Sequence, residues 1–125
     1  MQPTGSSGLQ TGKALAPHVR AYLRGLSDHE TPVTYQALTK VLQLSPPNTI
    51  RQLTRALECL IEEDAAAGHP LIAALVISKT RGGLPAPGFF DSAERVGRHH
   101  EDPQEFHTRE FEILEISYNT HELII

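Results

Sequence analysis

Asn-Thr-Ile-Arg-Gln-Leu-Thr-Arg-Ala-Leu-Glu-Cys-Leu-Ile-Glu-Glu-Asp-Ala-Ala-Ala-Gly, residues 48–68, is the stretch on which the fold turns. Ile50, Leu53, Leu57, Leu60 and Ile61 recur at intervals that place them on one face, so the spacing predicts a helix from Asn48 to about Ala67. Gly68 stops it, because glycine adopts the left-handed conformation that closes a helix. The opposite side of that helix carries Thr49, Arg51, Gln52, Arg55 and Glu58. Arg51 and Arg55 stand one helical turn apart on the same face, with Gln52 beside them. Cys59 sits next to Leu60 and is expected to behave as a small buried hydrophobe.

Upstream, Ser45-Pro46-Pro47-Asn48 breaks the chain, since neither proline can continue a helix from before it. Before that break a helix is predicted from Tyr35 to about Leu44, capped by Thr34, with Ala37, Leu38, Val41 and Leu42 as its buried stripe. Thr31-Pro32-Val33-Thr34 is a short extended segment. A first helix spans about Ala14 to Leu26 and starts close to Pro17, with Leu15, Val19, Tyr22, Leu23 and Leu26 inward. Residues 1–12, rich in Gly, Ser, Thr and Gln, are expected to be a flexible tail.

Downstream, Leu71 to Ser78 is a continuous apolar run that predicts a buried strand. Lys79-Thr80-Arg81-Gly82-Gly83 follows as a cationic turn, and Leu84 to Phe90 as a proline-broken edge strand returning beside the first. Two short helices complete the chain, Asp91 to about His99 and Pro103 to about Tyr118, the second capped by Asp102 and directing Phe106, Ile113 and Leu114 inward. The class is therefore α+β and mainly helical. One domain is expected over residues 13–125, with a core at 13–90 and a helical extension at 91–125.

At 125 residues and 39% hydrophobic, the chain can bury one core. Its longest apolar run is far short of the ~20 residues a membrane helix needs. One cysteine permits no internal disulfide and no cysteine zinc cluster. Residues 1–13 carry neither a cationic start nor an apolar centre, so the expected location is the cytoplasm. Net charge is -4, but it is unevenly spread. Residues 1–55 hold six Lys and Arg against Asp28 and Glu30, a balance of +4, whereas residues 91–125 hold three arginines against nine acids, a balance of -6. That asymmetry suggests two faces with different partners.

The order of helix, short strand, helix, tight turn, helix, strand, turn and strand resembles a winged helix-turn-helix domain with a short β-hairpin wing and two extra C-terminal helices. Val33-Thr34-Tyr35-Gln36-Ala37-Leu38, Thr54-Arg55-Ala56-Leu57 and the run from Leu71 to Gly82 resemble the DNA-binding domain of the alkylguanine-DNA alkyltransferases and their alkyltransferase-like relatives. The resemblance covers roughly residues 33–82 and implies a fold. The Pro-Cys-His-Arg motif of that family is absent, so alkyl-transfer chemistry does not carry over.

A recognition helix needs side chains such as arginine, which bonds guanine bidentately, and glutamine, which bonds adenine. The sequence therefore points to Thr49, Arg51, Gln52 and Arg55 as base- or phosphate-facing residues. Lys79 and Arg81 would hold the DNA backbone from the wing, and Lys40 could add a further phosphate contact. The expected partner is duplex DNA, in a transcription-regulating role, with a homodimer formed through Phe106/Ile113/Leu114 or Ile124-Ile125. The competing expectation is a winged-helix module that binds a protein, with Phe89-Phe90 exposed and Arg51 and Arg55 neutralised by Glu58 and Glu62. No carboxylate pair, phosphate loop or nucleophile motif suggests an enzyme or a cofactor. His99, His100 and His107 are metal-ligand types at a spacing that matches no ligand pattern.

Overall fold

A computed structural model describes the backbone of residues 8–26 and 30–124, with side chains from Lys13 to Leu114 within them. Its helices are α1 (Gly8–Arg24), α2 (Tyr35–Val41), α3 (Thr49–Ala67), α4 (Pro87–Arg95) and α5 (Pro103–Ile124). Two short strands, β1 (Val33–Thr34) and β2 (Val76–Ile77), complete the α+β, mainly helical architecture.

Helix α3 is the axis of the molecule. Leu53, Ala56, Leu57, Leu60 and Ile61 are all buried along it, and α1 packs against that face through Ala16, Val19 and Leu23. Gly68 closes α3 at φ 74°, as its sequence position predicts. Helix α1 begins earlier than expected and carries Pro17 within it. Pro17 is exposed, so its ring meets solvent and its missing N–H removes one helical hydrogen bond without disturbing the buried stripe. Of the expected tail, Met1–Ser7 lie outside the described residues, while Gly8–Gly12 belong to α1.

The segment from Leu71 onward differs most from its sequence expectation. Leu71 to Val76 are all buried, but the chain makes a 3-10 turn over Ile72–Leu75 and only then a two-residue strand. β2 pairs with β1 in parallel, Val33 beside Val76 and Thr34 beside Ile77. The expected β-hairpin is replaced: Lys79–Arg81 form a second 3-10 turn, and a hydrogen bond from Ser78 N to Leu84 O (2.8 Å) closes the loop. The proposed edge strand at 84–90 instead leads into α4. Pro87 occupies the first helical turn, where its fixed φ suits a helix, and Phe89, Phe90 and Ala93 turn into the core.

Side chains from distant helices satisfy the polar backbone of the buried 3-10 turn. Asp64 of α3 accepts from Ile72 N (2.9 Å), and Glu110 of α5 accepts from Leu71 N (2.9 Å). His107 donates from Nε2 to the Ala74 carbonyl at 2.8 Å. Arg20 holds the second oxygen of Asp64 at 2.8 Å, and Arg98 links Glu110 (3.4 Å) to the His69 carbonyl (2.6 Å). Buried backbone groups need such partners, and here they come from α3 and α5 rather than from a strand.

His107 is buried, with its ring edge-on to Phe89 at 6.3 Å and near Phe111 at 6.0 Å. Burial pushes its pKa below the ordinary 6.5, against the opposing effect of the Ala74 hydrogen bond. The folded protein therefore holds a neutral imidazole that the unfolded chain would protonate more readily. His107 contributes stability above pH 6.5 that is lost as the pH falls through its depressed folded value. Urea midpoints should accordingly fall between about pH 7 and about pH 5, less steeply in His107→Phe. An equally steep fall in that variant would remove His107 from the account.

Candidate nucleic-acid interface

The outer side of α3 exposes Arg51 and Arg55 to solvent. Neither forms an ion pair with a described residue, and Glu58 and Glu62 do not neutralise them. The arginines that brace the fold behave differently. Arg20 is held by Glu63 (3.0 Å) and Asp64 (2.8 Å), and Arg109 pairs with Glu105 at 2.9 Å. Lys40, Lys79 and Arg81 are exposed and also lack an ion-pair partner among the described residues.

Gln52 has a structural task. Its Nε2 donates to the carbonyls of Ser45 (2.9 Å) and Pro47 (3.0 Å), closing the connection between α2 and α3. That connection needs left-handed backbone at two non-glycine positions, Gln43 (φ 54°) and Asn48 (φ 61°), so a clasp across it fixes how α3 emerges. Gln52→Ala should cost about 1 kcal/mol in urea denaturation. An unchanged midpoint would show that the clasp contributes nothing. Thr49 is half-buried at the first position of α3.

Beside the two arginines runs a groove of about 320 Å³. Ile50 and Thr54 of α3 form one wall, and Ser78, Lys79 and Thr80 form the other, with Tyr35 and Gln36 at the α2 end. Lys79 thus faces α3 across the groove. Arg81 lies close enough to the Tyr35 hydroxyl to oppose the upward push that burial gives its pKa. The Tyr35 hydroxyl in turn accepts from Ala86 N (3.0 Å), tying the start of α4 to the start of α2. Of the cations singled out from the sequence, Lys79 lines this groove; Arg51 and Arg55 follow its lining residues Ile50 and Thr54 in the chain, and Lys40 and Arg81 are not among its lining residues.

Four positions expected to face inward are instead exposed: Ala37, Val41, Ile50 and Ile113. Ile50 is 44% and Val41 50% accessible, because each lies at the margin of its helix's buried stripe. Ile113 is 41% accessible on α5, whereas Phe106 and Leu114 are in the core. The Phe106/Ile113/Leu114 dimer stripe is thus not available as drawn from the sequence, and the side chains of Ile124 and Ile125 lie outside the described residues. Phe89 and Phe90 are buried edge-to-face at 5.1 Å, so they form no surface patch.

The histidine cluster is divided. His99 Nδ1 lies 2.9 Å from Glu94, His100 stacks on Phe106 at 4.4 Å, and His107 faces Ala74. Hydrogen bonds from His99 and the His100 backbone hold the Glu94 carboxyl below its usual pKa. Among the described residues no group of three metal-ligating side chains converges. Burial and the neighbouring Glu62, Glu63 and Glu58 raise the pKa of the half-buried Cys59 thiol, so the site lacks an activated nucleophile there.

Sequence reasoning missed Tyr35 as a wall of the groove and Asp64 as the brace of the buried 3-10 turn. Asp64 did carry a signal: it continues the apolar face of α3 one turn beyond Leu60, where an acid must find a buried partner. Among the described residues no helix is long and apolar enough to cross a membrane. Comparison with protein-family models, with curated proteins and with solved structures found no match in any of the three.

Proposed function

We propose that the chain is a small non-enzymatic DNA-binding protein of winged-helix type, suited to transcription regulation. α3 enters the duplex groove, and the closed loop at 78–84 serves in place of a hairpin wing. The observation that carries this reading is the pair Arg51 and Arg55, exposed, one turn apart and without an ion-pair partner among the described residues, on the helix that walls a groove whose other wall carries Lys79. Guanidinium groups left without protein carboxylates are the ones available to phosphates and guanine edges. Their freedom, and the burial of Phe89 and Phe90, support DNA over a protein-only docking module.

The test is polarisation of a labelled duplex at increasing salt. With Arg51, Arg55, Lys79 and Arg81 on phosphates, log affinity should fall against log salt with a slope of about -3 to -4. Absence of binding at low salt, or a slope near zero, would overturn the reading. Capture of a protein partner by the same surface would then favour the interaction module.

A further inference from the structure

Every hydroxyl lining the groove beside α3 already has a partner inside the protein. Thr34 Oγ1 accepts from Ala37 N (3.1 Å), and Thr54 Oγ1 donates to the Ile50 carbonyl (2.9 Å). Ser78 and Thr80 bond to each other (3.1 Å), and Tyr35 accepts from Ala86 N (3.0 Å). With its hydroxyl turned to the helix backbone, Thr54 offers the groove a methyl group. Next to it stands Ile50, one of three large apolar side chains left exposed among the described residues. The groove is thus a mainly apolar slot with Lys79 on its wall, and Arg51 and Arg55 follow its lining residues Ile50 and Thr54 along α3.

We infer that this slot takes the methyl edge of a 5-methylpyrimidine, thymine in ordinary duplex DNA, and that Ile50 makes the distinction. The inference rests on the DNA reading above. Major-groove thymine differs from the other bases by its C5 methyl, and apolar side chains read it. Ile50 is the second residue of α3, and recognition helices direct their N-terminal residues at base edges. Lys79 on the wall, with exposed Arg51 and Arg55 next to Ile50 and Thr54 on α3, commits the slot to a polyanion rather than to an apolar peptide, which would leave those charges uncompensated.

The experiment compares duplexes that differ only in that methyl. Alternating dA-dT and dA-dU duplexes of equal length are titrated at low salt, together with alternating dG-dC duplexes with and without C5-methylated cytosine. The methylated member of each pair should bind roughly fourfold tighter, the effect of burying one methyl group. Ile50→Ala, checked for folding by circular dichroism, should bind both members of each pair equally. Equal affinity of the parent protein for dA-dT and dA-dU would overturn the inference while leaving DNA binding intact. A preference that survives in Ile50→Ala would assign it to duplex shape and overturn the role of Ile50. Binding to none of the four duplexes would overturn the DNA reading itself.

Discussion

Asp64→Ala is expected to lower the free energy of unfolding by about 3–5 kcal/mol, the cost of removing one member of a buried ion pair. Asp64 is only 2% accessible, and both its oxygens are engaged. One meets Arg20 at 2.8 Å and the other receives the Ile72 N–H at 2.9 Å. Truncation strands a guanidinium and a buried backbone donor together, in a protein of a size whose whole margin is about 5–15 kcal/mol. Arg20 is partly open to water and keeps Glu63, which limits the loss on that side. Asp64→Asn keeps an acceptor for Ile72 and should cost less than alanine. Urea midpoints with an unchanged m-value give the measurement. A loss under about 1 kcal/mol would mean that the pair contributes no more than an exposed one.

The second large effect concerns binding. Arg51→Ala/Arg55→Ala should reduce duplex affinity roughly tenfold to a hundredfold at low salt and make the salt slope shallower by about two. Stability should stay within about 0.5 kcal/mol, because both side chains are exposed and unpaired. Lys79→Ala/Arg81→Ala should flatten the slope similarly with a smaller loss of affinity, as backbone contacts carry no base preference. Parent-like affinity and slope in the first variant would remove α3 from the interface.

α3 was legible because one face is buried and the other is wet, so its apolar residues recur with a helical period. The same logic located the Thr34 cap, whose oxygen does accept from Ala37 N at 3.1 Å. It failed where burial has no period. Leu71 to Val76 are buried on all sides, and an unbroken apolar run fits a strand and a 3-10 turn equally well. The choice is made by Asp64, Glu110 and His107, three polar side chains distant in sequence that satisfy the turn's backbone. Pro87 misled for a related reason: a proline that breaks a strand also opens a helix, and only the packing of Phe89, Phe90 and Ala93 decides between them. The arginine pair was legible from spacing alone. The groove was not, since its second wall is the loop after β2, where a 3-10 turn replaces the expected hairpin.

The polar ties of the 3-10 turn impose an order on biosynthesis. Glu110 and His107 belong to α5, which follows α1–α4 in the chain, yet they hold the segment that leads directly into Lys79 and Arg81. A nascent chain that has not yet extruded α5 is expected to display its arginine pair while the opposite bank of the groove is still unset. On the proposed DNA-binding reading, grip on a duplex would then wait for α5 to emerge.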